Sequence, residues 1–178
     1  MRLCIEGIDR LGKGTLINGI LKNFGPHPIV HCTAPPKDIK DPAKYQEEFY
    51  YRAFDILDNS PHVIFDRFHL GEFVYGPIYR NVTNLDYLMK LEIGVPINTI
   101  LILLYTTDTS FLQDDGKSID YEKRDLEQQE YIKAFDNSTI LLKKMIQVNA
   151  GNQYRSATEI FFEFSNYVKN LEASGKQL

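Results

Sequence analysis

Short apolar runs alternate along the chain with longer stretches in which apolar residues recur at helical spacing. The runs that predict β-strands cover residues 2–6, 29–32, 62–66, 100–105 and 145–148. The stretches that predict amphipathic helices cover residues 16–24, 45–57, 85–93, 121–144 and 156–171. This order is typical of a parallel sheet covered by helices on both faces. We therefore expect an α/β protein with three layers, α/β/α, and five parallel strands.

Two segments stand out within this pattern. Residues 100–105 are almost continuously apolar, which predicts a central strand buried on both faces. The polar, glycine-containing segment that follows makes about residues 108–124 a candidate lid, in which Lys117 and Arg124 are cations that could face a phosphate. A solvated loop of mixed charge explains the same segment equally simply.

Size and charge narrow the class of protein. With 178 residues, 43% of them hydrophobic, the chain suits one domain over residues 1–178. The net charge of −4 argues against a protein that binds nucleic acid through its phosphates. No apolar stretch approaches the length of a membrane span, so we expect a cytoplasmic protein. Cys4 and Cys32 lie in apolar runs, which favours buried free thiols over a disulfide or a zinc site.

The strongest chemical signal is the sequence Gly-Ile-Asp-Arg-Leu-Gly-Lys-Gly-Thr at residues 7–15. It follows a predicted strand and opens a predicted helix, which is the context of a P-loop. Gly7, Gly12 and Gly14 would let backbone N–H groups converge on the phosphates of ATP, and Lys13 would reach the β and γ phosphates. The alternative is a glycine-rich turn with an incidental lysine.

This loop departs from the usual pattern at one position. Gly14 stands where a Ser or Thr hydroxyl normally ligates Mg²⁺. Either Thr15, one residue later, or a water molecule would have to take its place.

The same loop resembles the P-loop of thymidylate kinases, which often carry an Asp-Arg pair before Gly-Lys. Asp-Arg-Phe at residues 66–68 is similar to the Asp-Arg-aromatic motif of that family, and residues 148–150 resemble its segment near the adenine. The block at residues 69–77 looks closer to short virus-encoded relatives. The resemblance extends along most of the chain.

The resemblance implies a homodimeric enzyme that uses MgATP to phosphorylate dTMP, in the host cytoplasm if the protein is virus-encoded. Arg10 would contact the γ phosphate, and Asp9 the sugar hydroxyl of the acceptor. Asp66 would orient the acceptor or bind Mg²⁺ through water. Asn149 would lie near the adenine.

The remaining candidates concern the acceptor. Arg67 follows a strand, where ligands of α/β sheets bind, and could bridge the two phosphates, although an ion pair with Asp66 or Glu72 would also explain it. The family places an aromatic residue and an arginine on the helix that here carries Phe49 and Arg52. Such aromatic residues are equally often part of the core. Tyr75 is a further candidate for acceptor binding.

Three other functions stay open at this point. One is a monophosphate kinase for another base. A deoxynucleoside kinase would need Asp66 as a base, whereas a phosphate acceptor needs none. Deoxynucleoside kinases generally use the longer Glu in a Glu-Arg-Ser context, so the Asp-Arg-Phe motif favours a monophosphate. A nucleotide-binding switch is the third, because Gly14 lacks the hydroxyl.

His69 and Glu72 lie one helical turn apart. Helix capping or surface pairing explains these two residues more simply than a role in a pocket.

Overall fold

A five-stranded parallel sheet forms the middle layer of the molecule. The computed structural model describes residues 1–112, 121–176 and 178. The strands are β1 (Arg2–Glu6), β2 (Ile29–His31), β3 (Val63–Asp66), β4 (Thr99–Tyr105) and β5 (Leu142–Gln147). They lie in the order β2-β3-β1-β4-β5, and every pair is parallel. The predicted three-layer α/β/α class is confirmed.

Helices cover the sheet. They are α1 (Lys13–Phe24), α2 (Pro42–Asn59), α3 (Leu70–Tyr75), α4 (Asp86–Ile93), α5 (Arg124–Asn137) and α6 (Ala157–Ala173). Helix α1 packs against α6, α3 against α5, and α2 against α4. The buried apolar side chains of strands and helices together form a continuous core, and both cysteines lie in it as free thiols.

Local sequence signals set the ends of several helices. Asp41 caps α2 by accepting a hydrogen bond from the backbone N–H of Lys44, and Pro42 occupies the first helical position. Ser156 and Glu159 form a reciprocal capping box at the start of α6. Gly25, with φ of 89°, ends α1.

The predicted helix over residues 121–144 is too long. Helix α5 ends at Asn137, Ser138 is extended, and residues 142–144 belong to β5. The Lys143 amine donates to the backbone carbonyls of Phe135, Asp136 and Ser138 and so satisfies the end of the helix. The apolar spacing typical of a helix continues in the sequence beyond Asn137, because residues of β5 are also partly buried.

Besides helix α3, which no predicted helix covers, the pattern did not predict two short elements. Helix α3 continues into a π-helical turn, Gly76–Arg80, and a hairpin of β6 (Asn149–Ala150) and β7 (Gln153–Tyr154) precedes α6. Each is shorter than the window over which a hydrophobic period can be recognised. Both elements lie beside the candidate site.

The sheet order places β1 in the middle, with β3 on one side and β4 on the other. The run at residues 100–105 is an interior strand, as expected, but the central position belongs to β1. Since the chain leaves β1 for one side of the sheet and later crosses to the other, a crevice opens at its carboxyl end. The loop at residues 7–15 lies there.

Candidate functional site

The loop between β1 and α1 has the backbone of a phosphate-binding turn. Gly7 has φ of 133°, and a Cβ at this position would lie 2.4 Å from the carbonyl oxygen of Leu104. Gly12 has φ of 82° and Arg10 has φ of 72°. These positive φ angles turn successive backbone groups toward the start of α1, where the helix dipole favours an anion.

Lys13 lies inside this loop and is buried. Its amine donates hydrogen bonds to the carbonyl oxygens of Gly7, at 2.7 Å, and Ile8, at 2.8 Å. Burial, with a smaller contribution from Arg67, lowers the pKa of Lys13 to about 8. A polyphosphate at the loop would replace these carbonyls with oxygens that carry full negative charge.

An ion pair joins the loop to the neighbouring strand. Arg67, directly after β3, donates to the carboxylate of Asp9. Arg67 has φ of 61°, and its backbone N–H donates to the carbonyl of Ile5 in β1. The partner of Arg67 is therefore Asp9, and not Asp66 or Glu72 as one alternative proposed.

Glu6 fixes the turn that carries Arg67. Its carboxylate is fully buried and accepts hydrogen bonds from the backbone N–H groups of Phe68 and Leu70. Burial raises the pKa of Glu6, although His69 and the two backbone N–H groups act in the opposite direction. The last residue of β1 thus holds together the P-loop, the end of β3 and the start of α3.

A cavity of about 180 Å³ opens beside the Asp9–Arg67 pair, and we call it the Gln46 cavity. Its lining residues are Asp9, Cys32, Thr33, Ala34, Gln46, Tyr50, Arg67, Phe68, Gly71, Glu72, Tyr75, Tyr79 and Arg80. Aromatic rings form much of the wall. Such a wall suits a flat ring of the ligand.

Three polar side chains of this cavity form one buried cluster. Arg80 donates to Oε2 of Glu72 at 2.6 Å, and the Gln46 amide donates to the same oxygen at 3.1 Å. Gln46 and Glu72 are 3% and 2% exposed. Oε1 of Gln46, Oε1 of Glu72 and Nε of Arg80 have no hydrogen-bond partner among the described residues. Buried polar atoms are rarely left so, which marks the cluster as a place for a polar ligand.

A second cavity, of about 270 Å³, lies on the other flank of the P-loop, and we call it the Tyr154 cavity. Its lining residues are Arg10, Leu11, Gly12, Thr15, Leu16, Tyr154, Arg155, Ala157 and Ile160. The Tyr154 hydroxyl donates to the carbonyl of Arg10 at 2.8 Å, and Phe111 contacts the Tyr154 ring edge-on. The first turn of α1 therefore adjoins a largely apolar hollow beside the hairpin.

The residues suited to Mg²⁺ are few. Asp66 has one carboxylate oxygen 3.0 Å from Nδ1 of His31, while the other is buried and without a partner among the described residues. Thr15 is exposed in the first turn of α1, and Gly14 supplies no side chain. Clusters of three or more His, Cys, Asp or Glu side chains suited to a metal do not occur in the described ranges. A carboxylate with phosphate oxygens and water fits Mg²⁺, so Asp66 is the residue that would hold it.

The structure brings together most residues of the predicted site. Gly7, Gly12, Lys13, Gly14 and Thr15 form the loop and the start of α1, and Asp9, Arg67 and Tyr75 line the Gln46 cavity. Arg10 lies on the side of the Tyr154 cavity.

Other predicted residues lie elsewhere. Arg52 is exposed on α2, and Phe49 packs edge-on against Tyr50 outside the lining of the Gln46 cavity. The Asn149 side chain is buried and holds the turn after β4 through Thr107 and the Gly151 carbonyl. These hydrogen bonds stabilise the hairpin, so the burial of Asn149 does not require a bound nucleotide.

Only the ends of the predicted lid are described. Residues 113–120, with Lys117, lie outside the described residues. Arg124 is buried at the start of α5 and donates to the carbonyl of Leu112 at 2.8 Å, which ties the two described ends together. Across the described residues, no helix combines the length and apolarity needed to cross a membrane.

Sequence reasoning missed Gln46, Arg80 and Tyr154 and gave Glu72 a surface role. Gln46 stands among polar residues of an amphipathic helix, and nothing in its spacing indicates burial. Glu72 and Arg80 are eight residues apart, and regular helical spacing does not predict a contact between them because a π-helical turn lies between. His69 and Glu72 do not act as a pair: His69 contacts Glu92, while Glu72 faces the cavity.

No protein-family model matches the chain, and no curated protein matches it significantly. Solved structures do match. The YorR protein from Bacillus subtilis, solved in complex with phosphorylated GDP, is 20% identical with a TM-score of 0.75, and the match covers 99% of this chain and 100% of that one. Deoxyadenosine kinase from M. mycoides, with products dCMP and dCDP bound, is 18% identical with a TM-score of 0.63 over 96% and 100%. Shikimate kinase from Aquifex aeolicus is 14% identical with a TM-score of 0.58 over 99% and 100%. The chain has the fold of these three proteins, two of which are kinases by name.

Proposed function

We propose that the protein transfers the γ phosphoryl group of MgATP to a nucleoside monophosphate. The observation that carries the proposal is the Asp9–Arg67 ion pair, which joins a lysine-bearing P-loop to a cavity walled by aromatic rings. One side of the pair suits a polyphosphate, and the other suits a base and sugar. Phosphoryl transfer needs this juxtaposition more than it needs a covalent catalyst.

The donor fits the loop and the hollow next to it. Backbone N–H groups of residues 7–15 and the Lys13 amine would hold the phosphates. The Tyr154 cavity begins at Gly12 and Thr15 and offers an apolar surface to the adenosine. Asp66 would hold Mg²⁺, which when bound would supply positive charge beside the phosphates.

The acceptor would occupy the Gln46 cavity with its phosphate toward Arg67. An oxygen of the acceptor phosphate forms the new bond to the γ phosphorus while the bond to the β–γ bridging oxygen breaks. Arg67 and Arg10 would stabilise the charge that builds up on the transferred group. The ion pair with Asp9 limits the rotamers of Arg67. Asp9 would also accept a hydrogen bond from the acceptor sugar, as the thymidylate kinase resemblance implies.

One observation favours a second candidate, a nucleoside kinase. The partnerless oxygen of Asp66 is a carboxylate acceptor that could take a proton from a 5′-hydroxyl. The deoxyadenosine kinase of similar fold acts on such a substrate by its name, whereas the thymidylate kinase resemblance indicates dTMP. Both acceptor types therefore belong in the test.

The test is ADP release with MgATP and a panel of deoxynucleoside monophosphates, including dTMP, and the corresponding nucleosides. We expect release to require a monophosphate and to fall roughly a hundredfold or more in Lys13→Ala. Lys22→Ala, at an exposed position on the same helix, is the matched control and should behave as the wild type. Turnover with nucleosides alone would establish the second candidate. ADP release without any acceptor would contradict both and indicate a switch or an ATPase.

The resemblance also leads us to propose a homodimer. Light scattering behind a sizing column tests it: twice the chain mass of 20.6 kDa is expected, and a monomer at micromolar concentration would contradict it.

A further inference from the structure

The Gln46 cavity has a hydrogen-bonding pattern of its own, which bears on the base of the acceptor. Its cluster is built from three elements: Gln46 on α2, Glu72 on α3 and Arg80 at the end of the π-helical turn. The side chains hold one another through Oε2 of Glu72, which accepts from both of the others. The arrangement is therefore fixed before a ligand arrives.

The bonds within the cluster determine which atoms are left for a ligand. Because the Gln46 amide nitrogen donates to the Glu72 carboxylate, the amide oxygen is the atom that remains. Glu72 contributes a second oxygen, and Arg80 contributes its Nε–H. The cluster therefore leaves two acceptors and one donor unpaired at the wall of the cavity.

Nucleobases differ in how they match this set. Guanine presents two donors, N1–H and the N2 amino group, beside the O6 acceptor, and adenine and cytosine each present an exocyclic amino donor. Thymine and uracil carry an oxygen where cytosine has its amino group. They keep a single donor, N3–H, which could pair with one acceptor of the cluster, and their O4 could accept only from the Arg80 Nε–H. The second acceptor of the cluster would stay unpaired, and an unpaired buried acceptor costs binding energy.

We infer that the Gln46 cavity selects bases with an exocyclic amino group and rejects thymine and uracil, with Gln46 and Glu72 as the residues that determine specificity. The inference rests on the proposed function for its view of the cavity as the acceptor site. It departs from the thymidylate kinase resemblance, which indicates dTMP. The aromatic walls supply stacking that any base would accept, and the cluster supplies the choice among bases.

The test compares nucleotides that differ in a single amino group. Dissociation constants of dCMP against dUMP, and of dGMP against dIMP, are measured by calorimetry without ATP, with dTMP alongside. We expect the amino-bearing member to bind roughly tenfold to a hundredfold more tightly. Equal or tighter binding of dUMP, dIMP or dTMP would overturn the inference.

Variants assign the effect to the cluster. Glu72→Gln keeps the shape of the side chain but replaces an acceptor with a donor. The ratio of the dissociation constants of dUMP and dCMP should therefore fall to about threefold or less, because dUMP binds relatively better. Gln46→Met removes the amide without leaving Arg80 unpaired, and it serves if Glu72→Gln does not fold. The control is Glu48→Gln, an exposed carboxylate on the same helix, which should keep the full preference. Preference retained in both cluster variants would refute the assignment.

The two proposals fail in different ways. Selective binding of amino-bearing nucleotides without ATP-dependent phosphorylation would support the base inference and contradict the kinase. Phosphorylation of all five nucleotides with equal kcat/KM would support the kinase and contradict the base inference.

Discussion

Lys13 should respond to pH in two opposite ways, which makes it the sharpest test of the phosphate-binding loop. Its charged amine is buried against the carbonyls of Gly7 and Ile8. Burial and the nearby Arg67 lower its pKa from the ordinary value of 10.5 to about 8. At about 1.4 kcal/mol per pKa unit, the folded protein bears a penalty of ~3 kcal/mol for the charged form.

The sign follows from where protons bind. Between about pH 8 and 10.5 the unfolded chain keeps the proton on Lys13 and the folded protein loses it, so the Lys13 contribution to the free energy of unfolding rises with pH. Below pH 8 the penalty is present in full. A bound polyphosphate favours the ammonium form, so ATP affinity should fall above pH 8 by up to about tenfold per pH unit.

Two measurements over pH 7–10 check this. The free energy of unfolding of the wild type minus that of Lys13→Met isolates the lysine from other titrating groups. Over this pH range the difference should shift by ~2.5 kcal/mol in favour of the wild type as pH rises. Calorimetry with ATP should show the opposite slope in the wild type and no slope in Lys13→Arg, which stays charged. A flat difference in unfolding free energy would refute the burial argument. ATP affinity that ignores pH in the wild type would refute the phosphate contact.

Four further outcomes follow from single sites. Gly7→Ala should destabilise the protein by ~2–4 kcal/mol, because its Cβ would lie 2.4 Å from a backbone oxygen of β4, at φ of 133°. Gly14→Ala meets nothing within 4 Å, so denaturant unfolding should show no loss and a gain of at most ~1 kcal/mol. Burial raises the pKa of Glu92, but hydrogen bonds, chiefly from His69, lower it overall to about 2. Because the folded value lies below the ordinary 4.5, the stabilisation from Glu92 is present above pH 4.5 and is lost toward pH 2. The loss of unfolding free energy caused by Glu92→Gln should therefore become smaller as pH falls over that range. Arg52→Ala should change the acceptor KM by no more than about twofold in the ADP-release assay, since the side chain is exposed outside the Gln46 cavity.

The sequence by itself determined the parts of the protein that depend on contiguous residues. Alternation of strand and helix patterns predicted the α/β class and all five strands of the sheet, because each buried strand must be apolar over its own length. The P-loop was predicted for the same reason, because Gly7, Gly12 and Lys13 lie within one short turn that follows a strand and opens a helix. The end of α5 was misplaced because the partial burial of β5 continued the helical period.

Only the tertiary structure decided which distant residues meet. The sheet order brings the end of β3 beside the end of β1, and this makes Asp9 the partner of Arg67, although 58 residues separate them. Gln46, Glu72 and Arg80 converge because α2, α3 and a π-helical turn close over one cavity. Side-chain contacts of this kind depend on packing between elements, and no local period or motif encodes them. The sequence therefore determined where a phosphate would bind, and the fold decided what would face the acceptor.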